Sequence, residues 1–341
     1  MSFTFKYLNM KPKLCFLFFL IVQTILAQTK FQEIETAINK QEVTKIVTKI
    51  ACLIDSNYVF ENKGRSISDS LLRKVRQNEL VNIKDWRILA DSLTIIIQKL
   101  SNDGHMYVRN EPETVKKIID AENKKDNQIK SKPTEDPFFY GPDALANNFG
   151  FSEVKILKGN YGYIKLSEIN ISKKSLPTLY SAMQFISHTQ ALIIDLSNNG
   201  GGGSDIGAVL ESFFLPGNIP LLEFVSRNGE KHIERTITWL TEKKYDNPIF
   251  IIINNRTASA AEAFVFSMKK QNRASIIGKR SSGAAHMNSW YAVNHSLFIS
   301  ISTGAPTIPG TETSWEKVGI APDFEVDAGK EIEFILSKLK K

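Results

Sequence analysis

Residues 249–264, IFIIINNRTASAAEAF, contain the pattern that decides the fold of the second half of this chain. Five consecutive apolar residues, 249–253, are typical of a strand buried on both faces, and the polar turn 254–256 follows them. The small residues from Thr257 onward predict the start of a helix. Because unpaired N–H groups and the positive end of the helix dipole meet at such a junction, Ser259 would lie where an enzyme could hold a nucleophile. The alternative is that Thr257 or Ser259 only caps the helix.

The first 27 residues are typical of a secretory signal peptide. Three lysines precede a mostly apolar run, 14–27, that is short for a membrane span, and residues 25–27 (ILA) form an acceptable cleavage site before Gln28. Cys15 stands at the start of the apolar run, which argues against a lipoprotein anchor. We therefore expect a secreted or periplasmic protein with no stable membrane anchor after cleavage.

Composition excludes several classes of protein. Removing the three lysines of the signal peptide lowers the formal net charge from +7 to +4, and the remaining basic residues are dispersed, so no nucleic-acid partner is indicated. Only Cys52 then remains, which excludes an internal disulfide and, without clustered Cys and His, a structural zinc site. The mature chain is long enough for two domains.

Three segments follow the signal peptide. Residues 28–105 show helical apolar spacing and predict an N-terminal helical domain; Asp85 is the expected N-cap of its last helix, and Gly104 suits a left-handed C-cap turn. Residues 106–148, rich in Lys, Glu and Pro, predict a linker or a loosely packed crossing segment. Residues 149–341 alternate strands and helices and predict an α/β domain with a mixed sheet. Its predicted strands are 153–157, 161–166, 191–196, 221–226, 232–238, 249–253, 274–278 and 296–302, and its predicted helices are 176–188, 205–214, 257–271 and 328–340.

Four consecutive glycines, 200–203, follow a second apolar run, 191–196 (ALIIDL). A glycine loop of this kind can direct bare N–H groups at an anion. The spacing does not match the dinucleotide-binding motif G-x-G-x-x-G, so a phosphate site is disfavoured. Half of an oxyanion hole and a simple tight turn remain as interpretations.

Two histidines and two glutamates are candidates for chemistry. His105, placed by a turn at a helix end, is the better candidate base, and His286 lies in a small-residue loop that could approach a ligand. Glu316 could orient an imidazole, although a solvated loop carboxylate is the plain alternative. Glu262 is expected to favour the helix dipole and to point elsewhere. The motif G-x-S-x-G is absent, which argues against an α/β-hydrolase.

Six stretches occur in order along the chain: 103–108 (DGHMYV), 160–166 (NYGYIKL), 195–202 (DLSNNGGG), 255–262 (NRTASAAE), 278–286 (GKRSSGAAH) and 315–323 (WEKVGIAPD). Together they resemble the tail-specific serine peptidases, the family of C-terminal processing peptidases, tricorn protease and interphotoreceptor retinoid-binding protein. The similarity is greatest to the retinoid-binding-protein-like branch and covers roughly residues 40–330. The resemblance implies an α/β (α+β) fold, with an N-terminal helical bundle followed by a ββα-spiral domain similar to ClpP and crotonase.

The resemblance also implies site residues. It maps the nucleophile onto Ser259, from its place just before Ala261 and Glu262. The processing peptidases use a lysine further along as base, and Ala284 occupies that position here. Tricorn-like members use a histidine and a late glutamate, which map onto His105 and Glu316.

Two further positions depart from the family pattern. Gly104 stands where tricorn-like members have a serine, and Ser197 stands where an arginine is common. No PDZ-sized insertion is visible between residues 106 and 150.

The resulting prediction is an exported serine peptidase-like hydrolase with a Ser259–His105–Glu316 triad. Its oxyanion would accept hydrogen bonds from the N–H of Ala260 and of Gly200 or Gly201. No metal or organic cofactor is implied, and the expected substrate is a peptide or unfolded protein bound as an added strand. The alternatives are a non-catalytic protein that binds hydrophobic ligands or peptides on the same scaffold, and an enzyme acting on a non-peptide ester or amide.

Overall fold

The computed structural model describes residues 38–126, 136–242 and 244–340. The predicted signal peptide, 1–27, lies outside the described residues. Within those ranges no helix has the length and apolar character needed to cross a membrane.

Three helices open the described chain: α1 (Lys40–Asn57), α2 (Glu61–Arg76) and α3 (Trp86–Ser101). Asn39 and Glu42 form a capping box at α1, since the Asn39 side chain accepts from the Glu42 N–H (3.0 Å) and Glu42 accepts from the Asn39 N–H (2.8 Å). Asp85 caps α3 by accepting from the Ile88 N–H at 2.9 Å, which confirms the predicted N-cap.

The sequence predicted a linker or a loosely packed crossing segment at 106–148, but the described part of this segment consists largely of regular secondary structure. It forms strand β1 (Tyr107–Asn110) and helices α4 (Pro112–Asp126), α5 (Pro137–Tyr140) and α6 (Pro142–Ala146), although residues 127–135 lie outside the described ranges. Proline begins each of these helices. At the first helical position proline has no N–H that would be needed and its fixed φ suits the helix, so these residues start helices here instead of breaking them.

A six-stranded sheet forms the centre of the second half, and five of its strands are parallel. Its order is β13-β10-β9-β5-β3-β2, with only β2 antiparallel to its neighbour β3. This confirms the predicted mixed sheet. The bounds are β2 Phe151–Leu157, β3 Tyr161–Leu166, β5 Ala191–Asp195, β9 Ile249–Ile253, β10 Ser275–Gly278 and β13 Phe324–Glu325.

Helices α7 (Leu176–Phe185), α9 (Ala260–Lys270) and α10 (Glu331–Leu339) follow the predicted positions. The helix predicted at 205–214 is reduced to α8 (Val209–Ser212). The reason is that Gly207 has φ 86°, which interrupts a helix there, and residues 202–204 form strand β6, which pairs in parallel with β4 (Ile169–Ile171).

A second sheet connects the two halves of the chain. Strand β12 (Leu297–Thr307) pairs with β1, with β7 (Pro220–Ser226) and with β11 (Met287–Ala292), while β8 (Lys231–Arg235) pairs with β7. Strand β11 was not predicted, because its residues are mostly half-exposed and form no apolar run. The first three helices pack on this sheet, and Leu93 and Ile97 share one core with Ile299 and Ile301.

The parallel strands fix where a site can form. The carboxyl ends of adjacent β5 and β9 point to one edge of the sheet, so the glycine loop after β5 and the turn before α9 meet there.

Candidate active site

Ser259 lies at the junction of the turn after β9 and helix α9, in a strained conformation. Its φ of 54° and ψ of −124° are rare for a residue with a side chain, and such strain is concentrated at functional sites. A Cβ added to Gly201 would lie only 2.7 Å from the Ser259 Cβ. Glycine at position 201 therefore allows the loop to pass directly beside the serine.

Thr257 holds this turn in place and is fully buried. Its hydroxyl donates to the Leu196 carbonyl oxygen (2.8 Å) and accepts from the Asn254 N–H (3.0 Å). The Ala258 N–H donates to the Asn199 carbonyl oxygen (3.0 Å), which joins the turn to the glycine loop. Thr257 is thus a structural residue.

The glycine loop leaves some N–H groups free and uses others. The Asn199 side chain donates to the Leu166 carbonyl oxygen and accepts from the Gly201 N–H (2.9 Å). The N–H groups of Gly200 and Ala260 have no hydrogen-bond partner in the part of the chain that the structure describes. Of the two alternatives at the loop, Gly200 is therefore the one with an available donor.

Glu262 plays a larger part than the sequence indicated. Its carboxylate is fully buried and accepts from the N–H groups of Ser259 (3.1 Å), Gly283 (2.7 Å) and Ala284 (2.8 Å), and from the Ser281 hydroxyl. It thereby ties the start of α9 to the loop 281–286. The prediction that Glu262 only favours the helix dipole and points elsewhere on the helix was incomplete, because it bonds the backbone on both sides of the site.

Glu316 is attached to the same loop. Its Oε2 accepts from the N–H groups of Ala285 (2.7 Å) and His286 (3.3 Å), while its Oε1 is buried and has no hydrogen-bond partner within the described ranges. Glu316 is therefore not an ordinary solvated loop carboxylate.

His105 follows helix α3 through a short turn. The left-handed residue of that turn is Asn102 (φ 51°), not Gly104 as predicted, because asparagine tolerates this conformation. The His105 backbone N–H donates to Asp103 Oδ1 (2.9 Å), and the ring Nδ1 is buried with no partner among the residues that the structure describes. Burial lowers the pKa of His105, although the nearby charges of Asp103 and Glu316 act in the opposite direction.

A second imidazole lies in the same cluster. His286 Nδ1 is 2.7 Å from Asp103 Oδ2 and 4.0 Å from Glu316 Oε2. Asp103 is fully buried and also accepts from the Tyr58 hydroxyl (3.3 Å). Burial favours a lower pKa for His286, but the hydrogen bond and charge of Asp103 outweigh it, so the pKa is raised.

The sequence did not assign a role to Asp103, although it stands two residues before His105 in a stretch that carries the resemblance. Asp103, His286 and Glu316 bring ligand atoms within 4.8 Å of one another, a set that could hold a metal ion. In this structure these atoms already have hydrogen-bond partners: His286 Nδ1 is bonded to Asp103 Oδ2, and Glu316 Oε2 accepts from a backbone N–H.

One cavity of about 250 Å³ is lined by Ser259 and Ala260 together with Ala285 and His286; His105 is not among its lining residues. Among the described residues no hydrogen bond connects either imidazole to the Ser259 hydroxyl. The structure therefore brings together Ser259 and the loop 281–286, to which Glu316 is bonded, while His105 is linked to Glu316 only by the effect of the Glu316 charge on the His105 pKa.

The pKa values of the two imidazoles should be shifted in opposite directions from that of a free histidine. We expect a pKa below 6.5 for His105 and above 6.5 for His286, because burial disfavours the charged form of both rings and, among the described residues, only the ring of His286 is bonded to a carboxylate. NMR titration of the ring protons, assigned with single histidine variants, measures both. In Asp103→Asn the pKa of His286 should fall, whereas an unchanged value would show that Asp103 does not control it.

Comparison with known proteins places these features in a family. Residues 160–326 match the model of peptidase family S41, and residues 30–139 match the model of the N-terminal domain of this family in eukaryotic interphotoreceptor retinoid-binding protein (IRBP). The carboxyl-terminal-processing protease of Synechocystis sp. is 26% identical over 168 residues, which are 49% of this chain and 38% of that protein. The chain thus spans well under half of that relative's length.

Two solved structures show the same fold. A lipoprotein from Streptococcus agalactiae has a TM-score of 0.57 at 18% identity, covering 87% of this chain and 96% of that one. The photosystem II D1 C-terminal processing protease has a TM-score of 0.51 at 15% identity, covering 84% and 93%. With family matches on both halves, this chain belongs to peptidase family S41, a family of serine-type peptidases, and it carries an IRBP-like N-terminal domain.

Proposed function

We propose that this chain is an exported serine peptidase that cleaves peptide bonds through an acyl-enzyme on Ser259. The Ser259 oxygen attacks the peptide carbonyl carbon while His105 takes the hydroxyl proton. His105 then gives that proton to the leaving amine, and water, activated by the same imidazole, releases the acid product.

The observation that carries the proposal is the setting of Ser259. A strained serine begins a helix, a glycine loop passes beside its Cβ, and the N–H of the next residue, Ala260, has no partner among the described residues. We assign the oxyanion donors as the N–H groups of Ala260 and Gly200, since the Gly201 N–H is bonded to Asn199.

Two unsatisfied atoms support His105 and Glu316 as the remaining members of the triad. His105 Nδ1 and Glu316 Oε1 are both buried without partners among the described residues, and the charge of Glu316 acts on the pKa of His105. A hydrogen bond from Nδ1–H to Oε1, formed when the site tightens around bound substrate, would satisfy both atoms, orient the ring and stabilise the imidazolium. The lowered pKa keeps His105 neutral at pH 7, which a base requires.

Family membership supports a peptide or unfolded protein as substrate. The processing relative is named for cleavage at carboxyl termini. An extended segment bound as an added strand would use backbone hydrogen bonds and leave recognition to side-chain cavities.

Ser259→Ala should abolish turnover while the protein stays folded. We expect kcat to fall by about 10⁴-fold or more, because the nucleophile is lost, and labelling by a fluorophosphonate should disappear. Ser282→Ala, at an exposed serine of the neighbouring loop, is the control and should keep both. Wild-type turnover by Ser259→Ala, with an unchanged circular dichroism spectrum, would rule out this mechanism.

The two imidazoles can be separated by mutation. His105→Ala should lose turnover by about 10⁴-fold or more, whereas His286→Asn, which retains a donor for Asp103, should stay within about tenfold of the wild type. The acidic limb of kcat/KM against pH should have an apparent pKa below 6.5, the value expected of a buried neutral histidine. The reverse result, an inactive His286 variant and a limb above 6.5, would assign the base to His286.

Export rests on residues 1–27 alone. If the signal peptide is cleaved where the sequence predicts, N-terminal sequencing of the protein recovered outside the cytoplasm should begin at Gln28. Recovery of a chain that still begins at Met1 would contradict cleavage.

A further inference from the structure

The cavity that Ser259 lines extends to residues outside the proposed triad. At about 250 Å³ it is smaller than the 300–1,000 Å³ typical of drug-sized ligand pockets and suits a single side chain. Its walls are mainly apolar, with contributions from Ile171, Leu210, Phe264 and Pro306.

Two carboxylates interrupt this apolar wall. Glu211 of α8 and Glu234 of β8 both line the cavity, as does Ser259. Main-chain contacts hold the two elements together: Ala208 forms a β-bridge with Thr236, and the Ile237 N–H donates to the Ser212 hydroxyl (2.9 Å).

Neither carboxylate forms an ion pair with a lysine or arginine that the structure describes. The cations of the neighbouring segments are used elsewhere. Lys231 binds Glu223 (2.6 Å), Lys244 donates to the Ser212 carbonyl oxygen and Arg235 donates to the Asn218 carbonyl oxygen (3.0 Å).

The surroundings of Glu211 and Glu234 disfavour the charged form of each carboxyl group. Burial, followed by the charge of Glu234, raises the pKa of Glu211 to about 8. Burial also raises the pKa of Glu234, while His232 on the same strand opposes that rise, and His286 lines the cavity nearby. Two partly buried carboxyl groups that no described lysine or arginine pairs with therefore line the same cavity as Ser259, and a positive charge bound between them would favour their ionised forms.

We propose that this cavity receives the side chain of the substrate residue whose carbonyl Ser259 attacks, and that Glu211 and Glu234 select lysine or arginine there. The inference rests on the proposed peptidase function and adds its substrate class. The apolar walls match the methylene stem of a long basic side chain, and the carboxylates match its cationic end.

Binding gives the most direct test, because it does not need turnover. The Ser259→Ala protein is titrated with two fluorescent peptides that differ at one position, lysine in one and norleucine, which lacks the charge, in the other. We expect the lysine peptide to bind at least about tenfold tighter, as a cation paired with buried carboxylates should. The double variant Glu211→Gln with Glu234→Gln, in the same background, should remove the preference, and Glu230→Gln, at an exposed turn, should preserve it.

Equal binding of the two peptides, or tighter binding of norleucine, would overturn the selection of basic residues. Failure of the peptidase function is seen separately, as absence of fluorophosphonate labelling and turnover in the wild type. If the function holds, wild-type kcat/KM should also be higher for the lysine peptide than for the norleucine peptide, and the double variant Glu211→Gln with Glu234→Gln should make the two kcat/KM values equal.

The preference should depend on pH. Between pH 6 and 9 the affinity of the Ser259→Ala protein for the lysine peptide, divided by its affinity for the norleucine peptide, should rise as Glu211 loses its proton. The pKa of Glu211, about 8, lies within this range, and the lysine ammonium of the peptide remains charged throughout. Glu211→Gln should flatten the rise. A ratio that falls with pH would contradict the assignment of Glu211 as a partner of the cation.

Discussion

The buried carboxylate of Glu262 is the interaction on which the rest of the site depends. A charge without solvent is costly unless it is hydrogen-bonded, so its N–H and O–H donors must stay in place. Those donors come from Ser259 and from residues 281–284, two parts of the chain that would otherwise be independent. The turn that carries Ser259 and the loop 281–286 are therefore held as one unit.

The remaining charged groups build on that unit. The loop presents two further N–H groups to Glu316, and Asp103 is bonded to the ring of His286. The two imidazoles consequently share one neighbourhood but have different environments. The ring of His286 has a carboxylate partner, which raises its pKa, whereas the ring of His105 is buried with Nδ1 unpaired among the described residues, and its pKa is lowered. This difference separates the candidate base from its neighbouring imidazole.

Local patterns were sufficient for some of these features and not for others. The apolar runs gave β5 and β9 with nearly their observed bounds, and the strand–turn–helix pattern located Ser259. The Asp103–His286 bond joins residues 183 positions apart, so no local pattern contains it. The helices of segment 106–148 were missed because their prolines were read as breakers. Strand β11 was missed because its pairing to β12, not its own apolar content, stabilises it.

The pairing of β1 with β12 has a consequence for how the protein is made. It places the residues just after His105 against a strand encoded almost two hundred positions later, while Glu316 comes later still. During synthesis the first third of the chain is made before the last third, so these long-range contacts cannot form until the last third has been synthesised. The proposed triad therefore cannot assemble on a nascent chain until nearly all of the polypeptide has been synthesised.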